Sequence, residues 1–165
     1  MKRKLLSAIS VLSVLLVILS ACSGAASKNS TIDTFSERVE SITKENSELA
    51  GYSMGSLTAE GSGTYAATAL IDGTAIGAVS ISIDNEQITE LSFSFFGDVE
   101  INKCVPAVTA SAMAVDSALD YSEAQEMISR TIIRSFIISE LVENNGYSYS
   151  AQYEDGLLFV KISKI

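Results

Sequence analysis

The stretch AIGAVSISIDNEQITELSFSFF, residues 75–96, decides how this chain folds. Val79, Ile81 and Ile83 alternate with Ser80 and Ser82; beyond Asp84-Asn85-Glu86, Leu91, Phe93 and Phe95 alternate with Ser92 and Ser94. Successive side chains of a strand point to opposite faces, so this period of two predicts antiparallel strands over 75–83 and 87–96. One face is apolar and the other is nearly all small hydroxyls. Such a hydroxyl face is more often simply solvated, but it also leaves a flat sheet accessible for docking. Ile76 and Ile88 fall out of phase, and a bulge near Gly77 accounts for the first.

Working outward, Asp72-Gly73 is a tight turn that adds a strand over 63–71 and makes a three-stranded meander. A second sheet segment closes the chain. Residues 147–153 and 157–162 flank Glu154-Asp155-Gly156 and read as a hairpin. Tyr147, Tyr149 and Tyr153 fall on one face of it with Ala151. Such a stripe can form a binding surface, because each ring offers contact area and a polar tip, although tyrosines in strands more often pack half-buried. These three are the candidate binding residues.

Helical periods occupy the rest. Phe35, Val39, Ile42 and Leu49 share a face behind the capping-box spacing of Thr34 and Glu37, which predicts a helix over 33–49. After Lys103, Pro106 in a first turn and a run of alanines predict a thin helix, with Cys104 just before its start. Ser122 and Gln125 then stand at capping-box spacing, and a longer helix is expected to run to a left-handed stop at Asn144-Asn145-Gly146. Its apolar residues, Phe136 among them, clothe more than half its circumference, so it is expected at the centre of the core. The fold class is α+β: an antiparallel sheet of about five strands packed against an N-terminal helix and a central helical pair.

The chain begins Met1-Lys2-Arg3-Lys4, and an apolar run follows from Leu5 to Leu19. At 1.5 Å per residue it spans roughly 22 Å, short of the roughly 30 Å of a hydrocarbon core. A cationic start, a short apolar middle and small residues are the parts of an export signal. Leu19-Ser20-Ala21-Cys22 resembles the lipobox of bacterial prolipoproteins. The resemblance implies cleavage before Cys22, a diacylglycerol on its sulfur, and a protein held on the extracytoplasmic side of the cell membrane by that anchor. Two chains suffice where one binds only marginally. The expected organisation is a removed signal peptide over 1–21, a lipidated start and flexible tether over 22–32, and one domain over 33–165.

The full chain carries 11 basic and 20 acidic residues. Losing Lys2, Arg3 and Lys4 leaves eight basic residues against those 20 acids, a formal charge of −12. So acidic a surface repels nucleic acid and anionic lipid headgroups and favours, at most, cationic ligands. With Cys22 acylated, Cys104 has no partner within the chain, and the domain has to be stabilised by its core.

There is no histidine, which removes the commonest general base, the Ser-His-Asp arrangement and the usual zinc spheres. No glycine-rich phosphate loop opens a helix, and Asp84-Asn85-Glu86 is too short for a calcium loop. Cys104 is the one reactive candidate. The positive end of a helix dipole lowers a thiol's pKa, but such a cysteine is more often a small buried hydrophobe. The run from Gly63-Thr64-Tyr65 to Glu90-Leu91 also resembles the strand-turn-strand opening of small envelope domains, some of which bind flavin. The Ser-Gly-Ala-Thr type motif of those flavin domains is absent, since Thr109-Ala110-Ser111-Ala112 has no glycine. No cofactor is expected, and with no recognisable catalytic motif an enzyme is the third reading, behind two binding ones. The expected function is a lipid-anchored binding or interaction module of the bacterial cell envelope, with an unidentified protein as its partner. The alternative is a small-molecule-binding lipoprotein with a pocket between the long helix and the sheet.

Overall fold

A computed structural model describes residues 30–97, 100–138 and 140–165. Its α+β architecture is an antiparallel sheet of eight strands with helices on one face. Five strands are those marked by alternation: β3 (Thr64–Ile71), β4 (Thr74–Asp84), β5 (Gln87–Phe95), β7 (Tyr147–Glu154) and β8 (Leu157–Lys164). Three more exceed the expected five. β1 (Tyr52–Met54) and β2 (Thr58–Gly61) both pair with the outer edge of β3, and are too short for a period to declare itself. β6 (Glu140–Asn144) is the third. The order is β1-β3-β4-β5-β8-β7-β6, so the meander and the C-terminal strands join through β5 and β8 into one sheet.

Both out-of-phase isoleucines lie at register shifts. Ala69 pairs with Gly77 but Leu70 pairs with Ala75, which leaves Ile76 as the extra residue and turns it into the core. Likewise Ser82 pairs with Glu90 and Ile83 with Ile88, so Thr89 is the extra residue. Gly77 is required for another reason. A Cβ there would stand 2.4 Å from the Ser94 carbonyl oxygen and 2.9 Å from Phe95 Cα on the neighbouring strand.

The helices are α1 (Ser30–Glu45), α2 (Ile101–Val115) and α3 (Tyr121–Ser135). α1 begins earlier than the expected residue 33, which puts Thr34 and Glu37 inside it. It also stops earlier: the Asn46 side chain donates to the Ile42 carbonyl at 2.8 Å, and Ser47–Leu49 forms a separate 3₁₀ turn. Pro106 lies inside α2, not in its first turn, and Cys104 is within the helix. α3 is capped by Asp120, not Ser122, through the Glu123 N–H at 2.8 Å.

The largest correction concerns the end of α3. The expected helix to Asn144 stops at Ser135; the Ile137 and Ile138 N–H groups both fold back to the Arg134 carbonyl, and the chain re-enters the sheet as β6. Asn145 and Gly146 have φ of +49° and +80°, so this pair forms the primed turn of a β6–β7 hairpin. A helix stop and a hairpin turn both need left-handed backbone, and the same two residues satisfy either.

The sheet buries Val79, Ile81, Leu91, Phe93, Val160 and Ile162 on its inner face. Against it lies α2, fully buried from Ala107 to Ala112. α2, rather than α3, is the centre of the core. A helix touched by α1, α3 and the sheet must be thin, and alanines make it so. Inside this layer the Tyr52 hydroxyl meets the Ser111 hydroxyl at 3.2 Å, and burial pushes Tyr52 up to about 12. α3 is buried along one face only, through Ala124, Met127, Ile128, Thr131, Ile132 and Ser135. Phe136, expected in the core, is 44% exposed.

Candidate functional site

The residues that α3 leaves outside gather at one end of the domain. Ile133, Phe136, Ile137 and Ile138 are all exposed, Ile137 at 83%; Leu141 of β6 is exposed too, but it pairs with Ser150 and so lies on the other face of the sheet. The Phe136 ring rests against Tyr153, with centroids 4.5 Å apart, and the two form the floor of an apolar surface. The opposite end of the sheet holds the start of α1: the Thr31 hydroxyl donates to the Glu86 carbonyl at 3.1 Å, and Lys164 donates to Gln87 in the same turn. Tyr147 pairs with Lys164 at that end, and β7 runs from it to Tyr153, six residues or roughly 20 Å away. The apolar end therefore lies far from the start of α1.

The three candidate tyrosines do not form one exposed surface. Tyr147 is half-buried and donates to the Val115 carbonyl at 3.1 Å; burial and the nearby Asp116 charge raise its pKa. Tyr149 is fully buried beneath the helices, its pKa raised first by burial and then by Asp116. Only Tyr153 reaches the surface. The shared face was legible in the period, but the helices that cover two-thirds of it come from elsewhere in the chain.

Cys104 is 1% exposed, and burial pushes its thiol up to about 12. A thiol held protonated and out of solvent is not a nucleophile. It behaves as the small hydrophobe. Cys22 and its lipobox fall outside the described residues.

Among the described residues no helix covers the hydroxyl face of the sheet. Its register aligns Ser80, Ser92, Lys161 and Ser150 in one row, with Ser82, Glu90, Ser163 and Ser148 beside it. Lys161 Nζ reaches Glu90 at 2.5 Å and the Ser92 hydroxyl donates to Glu90 at 2.9 Å. Burial would raise the Glu90 pKa, but these hydrogen bonds and the lysine charge outweigh it and hold the carboxyl below its usual range. With half-exposed hydroxyls and an internally paired charge, this face is adequately solvated as it stands.

Three grooves open at the borders of the helical layer. One of about 350 Å³ lies beside Arg38, Tyr147 and Lys164, at the end of the sheet where α1 starts. Another, about 490 Å³, separates α1 from β1 and the Gly55-Ser56-Leu57 connection. The third, also about 490 Å³, lies between α2, α3 and the 3₁₀ turn, and opens beside Ile133. At its mouth the Tyr121 hydroxyl donates to Glu48. Burial and then that carboxylate push Tyr121 up to about 12. None of the three lies between α3 and the sheet, where α3 packs directly on β6 and β7.

Among the described residues no group of three or more acidic or cysteine side chains is placed to hold a metal ion, and no helix is long and apolar enough to cross a membrane. No family model matches the chain, and no curated protein or solved structure matches it.

Proposed function

We propose that this chain is a lipid-anchored, extracytoplasmic interaction module that carries out no reaction of its own and presents its apolar end to a protein partner at the bacterial cell envelope. The carrying observation is the exposure of Ile133, Phe136, Ile137 and Ile138, neighbours at the end of α3 and just past it. Contiguous apolar surface of this kind is costly to leave in water and marks interaction sites in soluble domains. Its location supports the same reading. An anchor on Cys22 holds the domain at the α1 end, and the apolar surface then points away from the bilayer toward whatever stands above it.

Large aliphatic and aromatic side chains around a Phe-Tyr floor are the composition of an interface centre, where affinity concentrates in a few desolvated anchors. The test is a photo-crosslinking residue placed at Ile137 in the full-length protein in its own host. A discrete adduct from position 137, absent from the same probe at Ser80 on the open sheet face and lost on Phe136→Ala, is the expected outcome. Equal yields from positions 137 and 80, or adducts indifferent to Phe136→Ala, would overturn the proposal. Loss of palmitate-analogue labelling in Cys22→Ser tests the anchor separately.

A further inference from the structure

The groove between α2, α3 and the 3₁₀ turn has a chemistry the interaction surface does not explain. Its walls are apolar, with Leu49, Val105, Pro106 and Ile133 among them. Set into these walls is the Thr109 hydroxyl, fully buried and without a hydrogen-bond partner among the described residues. A threonine on a helix ordinarily bonds to the carbonyl four residues earlier, as Thr131 does to Met127 at 2.9 Å. Thr109 does not, and a buried hydroxyl left unsatisfied is a position at which a ligand group gains.

Pro106 adds a second acceptor. Having no N–H, it leaves the Asn102 carbonyl without the donor that a helix supplies from four residues on, and both residues line the groove. The third feature is charge. Glu48 is the one ionisable acid on this lining and no lysine or arginine accompanies it. The groove is thus apolar in body, rich in acceptors and negative at its mouth.

We propose that this groove binds a primary ammonium compound with an aliphatic or aromatic body. An ammonium head is all donor, with three N–H groups and no acceptor, and it brings both the positive charge that complements Glu48 and a donor for the Thr109 oxygen. Glu48 balances its charge, the Thr109 hydroxyl and Asn102 carbonyl accept its hydrogens, and the apolar body displaces water from Leu49, Val105 and Ile133. An anionic ligand of the same shape meets repulsion from Glu48, and a neutral one forgoes the charge pair. The volume of about 490 Å³ suits a molecule the size of phenethylamine with room for substituents. This inference stands independently of the partner at the apolar end, since only Ile133 belongs to both.

The test is calorimetric titration of the full-length protein, in dilute detergent with a detergent blank, using phenethylammonium, phenylethanol and phenylacetate as probes. Saturable binding of the ammonium at millimolar concentration or tighter is expected, with the alcohol at least about tenfold weaker and the carboxylate not binding. Glu48→Gln, an exposed substitution that leaves packing alone, should weaken the ammonium about tenfold and bring it level with the alcohol. Thr109→Val keeps the side-chain volume and should weaken the ammonium severalfold, with Thr109→Ser restoring it. Equal affinity for ammonium and alcohol in the parent protein, no saturable heat with any probe, or indifference of the ammonium to Glu48→Gln would each overturn the proposal.

Discussion

The two faces of α3 carry the same kind of residue and meet opposite surroundings. Ile128 and Ile132 are fully buried, whereas Ile133, one residue on, is 56% exposed, and Phe136 and Ile137 beyond it are exposed as well. Nothing in hydrophobicity separates them. The difference is what each faces. Ile128 and Ile132 belong to the face turned toward α2 and β7, which stays buried from Ala124 to Ser135, whereas Ile133 lies on the outer face and Phe136 and Ile137 lie past the end of the helix. Apolar content is therefore a statement about what a segment would gain from burial, and supply of a covering surface is a separate matter settled by topology.

The contrast breaks first at Ile128. Ile128→Ala should destabilise the domain by about 2–5 kcal/mol, because it opens a cavity in a close-packed layer. Urea denaturation beside the parent measures this, and a loss under about 1 kcal/mol would mean that α3 is not bound to the core at all.

Alkaline pH sharpens the same comparison, because the groups whose pKa is raised by burial belong to the packed side. Tyr52 moves from 10.0 to about 12 and Cys104 from 9.0 to about 12. A raised folded pKa contributes stability that is complete below the unfolded value and is lost as pH rises toward the folded one. Stability should therefore begin to fall near pH 9 and continue to about 12, with Tyr52 accounting for a loss on the order of 3 kcal/mol. Urea midpoints against pH should show Cys104→Ala delaying the onset toward pH 10 and Tyr52→Phe flattening the limb above it. A parent midpoint unchanged from pH 8 to 12 would contradict the burial of both groups.

Smaller effects are expected at the apolar end. Phe136→Ala should cost only about 1 kcal/mol, the scale of one partly exposed ring pair with Tyr153, and the urea midpoint should move little. A cost above about 3 kcal/mol would return Phe136 to the core that the sequence pattern assigned it. Smallest of all, Ile137→Ser should lie within about 0.5 kcal/mol of the parent. Its apolar side chain touches mainly water, so any larger loss would show an intramolecular contact there.

Much of the sheet was legible because alternation is a local property. Val79 to Ile83 and Leu91 to Phe95 declare their faces without reference to anything else, and even the faults at Ile76 and Ile88 announced the two bulges. The segment from Phe136 to Asn144 was not legible in the same way. Ile137, Ile138, Leu141 and Val142 satisfy a helical spacing, Val142 and Asn144 also fit a strand, and Asn145-Gly146 ends either. What decided between them was pairing with β7, a partner that lies beyond the turn. The candidate groove was invisible for a related reason: Glu48, Thr109 and Tyr121 are spread over more than seventy residues, and no spacing rule connects them. Pro106 was the one signal that could have pointed there, had its place inside the helix been recognised and the orphaned Asn102 carbonyl followed.

By itself the sequence determined the α+β class, the antiparallel meander, the turn positions and the acidic charge, since each follows from neighbours within a few residues along the chain. Only the tertiary structure decided which apolar residues are core. Burial depends on the surface that the rest of the chain brings opposite, and so α2, thin and alanine-rich, became the centre while Ile133 on the outer face of α3, and Phe136 and Ile137 past its end, were left in water.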